Sequence, residues 1–368
     1  MNLILNLIRK NWKVNLFAFV TIFSLTIVFA ITLGGGRGYH KIYKDVGGKG
    51  ILAVFEGNVA CPYISLVPED YVAAILKIPH VADVAGEVRQ RYTYGKDKNL
   101  TLTSMEPDKL LEFKDLEISE RAFESFRNQR QGALVGKKIY DFFDWKVGQL
   151  VHSAGLIFEV ASVFEQPLSV YESMVILHKE YLQGLTSKKG YVTSFLVKTD
   201  LKQGQNKEGV IRGIEALFKD HPSKIVCRPE EELWLAIKAS QGNLGDIILA
   251  IGIALGILLG ILHINNAFLT FKHKREKLRA LKNQGLSRAS VASLMFWETA
   301  VVSALSGILA GVTAYLALIK HPYVGSDMFH PPIYIDLQVV VVVMLVSLFS
   351  GGLAALVTIP GILKAYEE

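Results

Sequence analysis

Ile247-Ile-Leu-Ala-Ile-Gly252-Ile-Ala-Leu-Gly256-Ile-Leu-Leu-Gly260-Ile-Leu-His-Ile264 is followed, a few residues on, by Phe271-Lys-His-Lys-Arg-Glu-Lys-Leu-Arg-Ala-Leu-Lys-Asn-Gln-Gly285. An uncharged apolar run passes directly into a basic one. At about 1.5 Å per helical residue, the first run is long enough to cross a hydrocarbon core of about 30 Å. Three more runs of this kind flank it. Val14–Leu33 lies far upstream; Val291–Ile319 and Leu337–Ile359 follow closely. The spans are therefore grouped one and then three, around a long stretch of ordinary globular sequence. Channels and membrane enzymes usually space their spans more evenly, so this layout points to a device that links events on the two sides of a membrane.

Lys and Arg near the spans set the orientation by the positive-inside rule. Arg9, Lys10 and Lys13 precede the first span, and the connection after the second carries Lys272, Lys274, Arg275, Lys277, Arg279, Lys282 and Arg288 against Glu276. The loop after the third span has only Lys320, opposed by Asp327 and Asp336. All three readings place the N-terminus inside and the large domain outside. Between Arg37 and Asn243 there are 28 Lys+Arg and 27 Asp+Glu, a net charge of +1. The formal +6 of the whole chain thus belongs to the membrane flanks and gives no reason to expect nucleic-acid binding. The first span exceeds the usual h-region of about 7–15 residues, and Gly34-Gly35-Gly36 follows without a small-x-small cleavage site, so it reads as an uncleaved anchor.

The external stretch reads as mixed α/β. Ile51–Phe55 is expected as a buried strand. Pro68-Glu69-Asp70 opens a short helix with Val72, Ile75 and Leu76 inward, and Val81 and Val84 lead a strand through Val88, Tyr92 and Tyr94. The order recurs as a strand at Val192–Val197, a helix at Glu208–Phe218 with Val210, Ile211, Ile214 and Leu217 inward, and a strand at Ile225–Cys227. Glu230–Lys238 then looks helical and runs toward the second span. Between these two β-α-β units, Gly132–Gly136 reads as a strand, Lys137–Phe143 as a helix, and Leu150–Ser153 with Ile157–Phe164 as a hairpin turned at Ala154-Gly155. Cys61 and Cys227, the only two cysteines, each follow a strand of the base. They are expected to lie near one another, either as a disulfide or as two free thiols.

Chemistry-bearing motifs are absent from the sequence. There is no G-x-x-x-x-G-K-[ST] loop, no H-E-x-x-H and no G-x-S-x-G. Gly34-Gly35-Gly36-Arg37-Gly38 lacks the lysine and hydroxyl that a phosphate cradle needs. His40, His80, His152, His178 and His221 are scattered without metal-ligand spacing. No catalytic residue, cofactor-binding residue or metal ligand is expected.

The spans themselves carry a packing signal. Gly252, Gly256 and Gly260 share one helical face, as do Ser303, Gly307 and Gly311 in the third span and Ser347, Gly351 and Ala355 in the fourth. Small residues at this period let helices approach closely; the alternative is glycines that meet only lipid. Glu298 lies about two turns inside the third span, where an isolated charge is costly, and is expected to pair near the interface with a basic residue. In the basic connection, Leu278 and Leu281 share a face, Gly285 fits a C-cap, and Ser287 starts the next helix. That helix either rests on anionic lipid or docks a cytoplasmic partner.

Taken with Leu281-Lys282-Asn283-Gln284-Gly285-Leu286-Ser287 and the early Glu298, the chain resembles the permease of a MacB/FtsX-type ABC transporter (type VII, mechanotransmission family). That family has Leu-[Lys/Arg]-Ala-Leu-Gly-Ala-Ser at this turn and an early Glu in the following span. Ala133-Leu-Val-Gly136, Trp145-Lys-Val-Gly148 and Phe158-Glu-Val160 resemble its external Val-Gly…Gly-x-x-Val-Gly…Phe-x-Val pattern. Ile78-Pro79-His80-Val81-Ala82-Asp83-Val84 resembles its Leu-Pro-Gly-Val-x-x-Val. The chain departs in having Lys277-Leu278 where Glu-Ile is usual, and in lacking the basic-Pro-x-x-Ala-Leu-Arg ending.

The resemblance implies a four-helix (1+3) membrane α-helical protein with a large extracytoplasmic mixed α/β domain. The expected map has a cytoplasmic N-terminus over 1–13, spans at 14–33, 244–268, 291–319 and 337–359, and a coupling connection at 269–290. A MacB-like periplasmic core domain fills 34–243, with base units at about 45–110 and 190–240 and an inserted subdomain at about 111–189. An external loop spans 320–336 and a cytoplasmic C-terminus 360–368. It further implies a multi-pass protein of the bacterial inner membrane with both termini cytoplasmic. Lys274, Arg275, Leu278, Arg279, Leu281 and Gly285 would meet a separate ATPase subunit that binds the ATP and magnesium. Other implied partners are a second permease copy (homodimer or paralogous heterodimer), a periplasmic adaptor or outer-membrane component, and membrane lipid. The function implied is export or extraction of an amphiphilic or peptide/lipoprotein-like substrate. The alternative is an FtsX-like transmitter that controls an extracytoplasmic enzyme.

Overall fold

The computed structural model describes residues 12–43, 50–59, 61–95, 98–114, 116–153, 155–166, 169–201, 207–240, 244–283, 285–318 and 332–367. The side chains of 153, 274–282, 362 and 365–367 lie outside the description, as do all of 1–11 and 319–331. The expectations placed on those segments, including Arg9, Lys10, Lys320 and Asp327, fall there too. Two compact units emerge, one from Met1–Gly38, Leu244–Pro322 and Pro332–Glu368, the other chiefly from Tyr39–Asn243.

The chain opens with α1 (Trp12–Lys41), then β1 (Ile51–Glu56), β2 (Val67–Pro68), α2 (Val72–Ile75), β3 (Val81–Tyr94) and β4 (Lys98–Met105). Next come α3 (Pro107–Phe113), α4 (Glu120–Arg127), β5 (Gly132–Gly136), α5 (Lys137–Phe143), β6 (Leu150–Ser153) and β7 (Leu156–Phe164). β8 (Met174–His178), α6 (Lys179–Leu185), β9 (Tyr191–Val192), β10 (Ser194–Thr199), α7 (Glu208–Leu217), β11 (Ile225–Pro229) and α8 (Glu230–Ser240) complete the external segment. Three long helices end the chain: α9 (Leu244–Asn283), α10 (Arg288–Leu318) and α11 (Leu337–Glu367).

In the first unit, α1, α9, α10 and α11 are each long and apolar enough to cross a membrane. α1 runs beyond the expected end at Leu33, through the glycine cluster to Lys41. Packing explains why glycines of low helix propensity stay helical here. A Cβ on Gly34 would lie 2.8 Å from Ile335, and one on Gly38 would collide with the carbonyl of Pro332. Arg37 Nη1 donates to both carboxylate oxygens of Asp336, at 2.6 and 2.5 Å. Asp336 Oδ1 also accepts from Val339 N at 2.9 Å, capping α11. At the other end, α11 continues through Pro360 instead of stopping before it.

The second unit is built on a nine-stranded sheet of order β11-β1-β10-β3-β4-β8-β5-β7-β6. β10 is antiparallel to both β1 and β3, and β1 is antiparallel to both β10 and β11. The two β-α-β units thus interleave, each receiving a strand of the other between its own pair. α2 and α7 cover one face, where Ile75, Val210 and Ile214 pack on Leu52, Val54, Val84, Val88, Phe195 and Val197. Alternation along the same strands turns Ala53, Phe55 and Leu196 to the opposite face, against which α8 packs. Leu76 and Leu217 are 41% and 36% exposed, contrary to the inward positions expected for them. Each sits at or just beyond a helix end, where the 3.6 period no longer aims it at the core. The expected strand at Val192–Val197 is broken at Thr193, which folds out to bond the Glu87 carbonyl through both its N–H and its hydroxyl, each at 2.9 Å.

Candidate functional site

Three features of the chain can carry a mechanical function. The first is the basic connection. α9 is one unbroken helix through Asn283, so the second span and the segment holding Lys274, Arg275, Leu278, Arg279 and Leu281 share a single axis. Gly285 adopts φ +80°, a conformation that suits glycine after a helix. Ser287 Oγ accepts from Ser290 N at 3.2 Å and starts α10, as a serine N-cap does. The backbone reversal is therefore written into two residues.

The second feature is the set of small-residue faces. α10 and α11 meet along theirs. A Cβ on Gly307 would lie 2.8 Å from Ser347 Cβ, one on Gly311 would lie 3.1 Å from Val340, and one on Gly351 would collide with Ser303. Ser347 Oγ donates to the Ser303 carbonyl at 2.9 Å, a hydrogen bond that closeness permits. α9 behaves differently. Gly252 and Gly256 face Thr32, Leu33 and Phe29 only at 3.7–4.0 Å, and Gly260 has no neighbour within 4 Å.

The third feature, which the sequence reading missed, is a buried ion cluster beneath α8. Glu87 and Arg89 lie on the face of β3 opposite Val84 and Val88. Both are 1% exposed, joined at 2.5 Å from Arg89 Nη2 to Glu87 Oε2. Lys114, just after α3, reaches Glu87 Oε1 at 3.3 Å and Glu230 Oε1 at 3.1 Å. Thr103 donates to Glu87 at 2.8 Å. Arg89 stacks 4.7 Å from the Trp234 ring and Lys114 5.2 Å from Tyr171, and the Tyr171 and Trp234 rings pack edge to face. Burial pushes the Glu87 carboxyl up, but the charges of Arg89 and Lys114 outweigh it and hold the group below its ordinary value. Burial likewise pulls Lys114 down, and Glu230 and Glu87 more than reverse it.

Charged residues at Glu87 and Arg89, alternating with apolar ones, read in sequence as a solvated strand face. Their cover arrives from Lys114, Tyr171 and Trp234, all far away in the chain. The cluster pins α8 to the middle of the sheet, and three residues separate Ser240 from the start of α9. At the end of α8, Lys238 lies 4.8 Å from the Tyr39 ring and donates to His40 Nδ1 at 3.1 Å.

The two cysteines are free. Cys227 is buried in the core on the α7 side of β11, whereas Cys61 is approached by Ser240 Oγ at 3.5 Å, at the end of α8 on the other face. The sheet itself separates them, so no disulfide forms. Glu298 is buried and accepts from Asn15 Nδ2 at 3.0 Å. Among the described residues, no group of three or more His, Cys, Asp or Glu is placed to hold a metal ion.

Residues 19–217 match the family of the MacB-like periplasmic core domain. A search of curated proteins finds no match. Among solved structures, the chain is similar to the extracellular domain of the noncanonic ABC-type transporter YknZ from Gram-positive bacteria, at 16% identity and TM-score 0.36, covering 48% of this chain and 98% of that one. It is also similar to the periplasmic region of MacB from Actinobacillus actinomycetemcomitans, at 11% identity and TM-score 0.38, covering 52% and 94%. A domain of a putative permease from Porphyromonas gingivalis has 14% identity and TM-score 0.33, covering 49% and 90%. The family match takes in more than half of the chain and coincides with one apolar helix before the mixed α/β domain and three after it. The chain therefore belongs to the MacB-like periplasmic core domain family and is an ABC transporter permease of the MacB/FtsX type.

Proposed function

We propose that this permease has no catalytic site of its own and couples ATP hydrolysis by a separate cytoplasmic ATPase to motion of its extracytoplasmic domain. In this reading it exports or extracts an amphiphilic or peptide/lipoprotein-like substrate. The observation that carries the reading is the length of α9. Its 40 residues span about 60 Å at 1.5 Å each, twice the hydrocarbon thickness, so one rod serves both the membrane and the basic connection. The buried clamp on α8, close in sequence to the start of that rod, supports the same reading. In the same reading both termini are cytoplasmic, which the basic flanks of the spans support, and the chain sits in the bacterial inner membrane. A second permease copy, an adaptor and the ATPase with its ATP and magnesium complete the machine.

The test is co-purification of a candidate ATPase with wild-type and Leu281→Asp protein, together with stimulated ATP hydrolysis. Leu278 and Leu281, three apart on the helix, share a face and form the proposed anchor, with Lys274, Arg275 and Arg279 at its rim. An interface anchor contributes about 2 kcal/mol or more, so binding should weaken by about 30-fold or more. Neutralising the rim charges should chiefly slow association and change its salt dependence. Unchanged binding and hydrolysis in Leu281→Asp would leave the connection a lipid-surface helix.

A further inference from the structure

Within the membrane unit, the four long helices are not held together equally. Among the described residues, α11 packs closely along both α9 and α10, whereas α1 meets each of the three far more sparsely. At its outer end, however, α1 comes into backbone contact with the segment that leads into α11. Gly34 and Gly38, one helical turn apart, both face Pro332–Ile335. A Cβ on Gly34 would lie 2.8 Å from Ile335, and one on Gly38 would collide with the Pro332 carbonyl. Tyr334 N donates to the Gly34 carbonyl at 2.9 Å. A carbonyl has two lone pairs, so a helical residue can accept such a bond from outside its own helix.

Arg37 adds charge to this joint. Nη1 donates to both oxygens of Asp336, at 2.6 and 2.5 Å, and Nη2 donates to Gln338 Oε1 at 2.6 Å. Asp336 precedes α11 as its N-cap, with Oδ1 accepting from Val339 N at 2.9 Å. One carboxylate therefore starts α11 and holds α1 at the same time. The Arg37 and Asp336 side chains are 40% and 28% exposed, and water within reach of an ion pair keeps it a weak, reversible contact. Neither glycine offers a side chain to interlock, so the hydrogen bonds and the ion pair decide whether the two backbones stay joined. Deeper in the bundle, Phe29 and Ala30 share an apolar cluster with Ile335, Val339 and Val343, where contacts without direction permit a pivot.

We propose that Arg37 and Asp336 form a releasable latch between α1 and α11, at the level where α1 leaves the membrane for the external domain. Closed, it makes α1 travel with α11 and, through α11, with α9 and α10. Open, Arg37 lets go of Asp336, α11 keeps its cap, and α1 tilts about the apolar cluster below. α1 runs unbroken to Lys41, and the external unit begins at Tyr39. The latch thus decides whether the helix from which the external domain grows moves with α11 or apart from it. The use made of this joint rests on the coupling proposed above; the joint itself rests on its own contacts.

Hydrogen–deuterium exchange of the full chain in phosphatidylethanolamine/phosphatidylglycerol nanodiscs, read amide by amide by mass spectrometry, tests the latch. It needs no ATPase and no substrate, so its outcome is independent of the coupling reading. In wild type the Tyr334 amide, bonded to Gly34, should exchange slowly. Arg37→Met should speed that amide about three- to five-fold, the range a partly exposed ion pair supports. The Val339 amide, held by Asp336, should keep its rate, which a general loosening of the fold would not allow. Arg37→Lys, still able to reach Asp336 with one cation, should recover much of the protection. Rapid exchange of Tyr334 in wild type, a reading that needs no variant to fold, would overturn the proposal. So would an unchanged Tyr334 rate in Arg37→Met, equal acceleration of both amides, or no recovery in Arg37→Lys.

Discussion

Replacing Lys114 by methionine should destabilise the extracytoplasmic domain strongly, because the cluster around it is closed to water. Lys114 is 3% exposed and lies between Glu87 and Glu230, each 1% exposed. Met keeps much of the volume and removes the charge. Arg89 and Thr103 still hold Glu87, and Trp234 Nε1 still lies 3.4 Å from Glu230. Nevertheless one buried cation would then face two buried carboxylates. Breaking a buried pair on one side costs about 3–5 kcal/mol. In a domain of this size about 1 kcal/mol moves Tm by about 2–4 °C, so the expected fall is roughly 6–20 °C.

The pH dependence has a definite sign. Glu87 is held below its ordinary value in the folded state, so it adds stability above the unfolded carboxyl value, about 4.3, and that stability is lost as pH falls through the folded value. Without Lys114 the Glu87 value rises toward ordinary. The gap between wild type and variant should therefore be widest at neutral pH and should narrow on acidification. Thermal melts of the full chain in nanodiscs, followed by tryptophan fluorescence at pH 7 and at about pH 3, below the unfolded carboxyl value, measure both effects; Trp234 sits against the cluster. A variant that melts within 2 °C of wild type at pH 7 would refute the reasoning.

The glycine faces separate by position. Gly307→Leu should disrupt the α10–α11 contact and lower the yield of monodisperse protein several-fold by size exclusion, since its Cβ alone would meet Ser347 Cβ at 2.8 Å; Gly260→Leu should leave the thermal melt unchanged. For the thiols, burial pushes Cys227 up to about 12, so at pH 7 it stays protonated as well as enclosed and should resist maleimide. Mass spectrometry should find one label, on Cys61, in native protein and two after denaturation; two rapid native labels would contradict the burial.

The local signals in the sequence were strong where one element explained itself. Gly132–Gly136, Lys137–Phe143 and the 14-residue strand from Val81 to Tyr94 carry their periods openly. Ser287 and Gly285 mark a helix reversal by capping chemistry alone. What stayed hidden depended on partners distant in the chain. β8 lacks an alternation because all five of its residues, Met174–His178, are buried. Glu87 and Arg89 take their cover from Lys114 and α8, both distant in the chain. The helicity of Gly34–Gly38 depends on Pro332–Ile335, about 300 residues away.

β3 has a consequence of its own. Its first half pairs with β10 from Val81 to Glu87, and its second half pairs with β4 from Val88 to Tyr94. The inserted strands β5–β8 therefore continue the same hydrogen-bonded plate as the base, and no hinge loop lies between the two parts. Nine strands at about 4.8 Å spacing make a plate roughly 38 Å across. To swing the insert as a separate jaw, the chain would have to bend β3 between Glu87 and Val88, where one ladder ends and the other begins and where the Val88 side chain is fully buried. β3 is therefore the strand through which any pull on β11 has to pass to reach the far edge, β6.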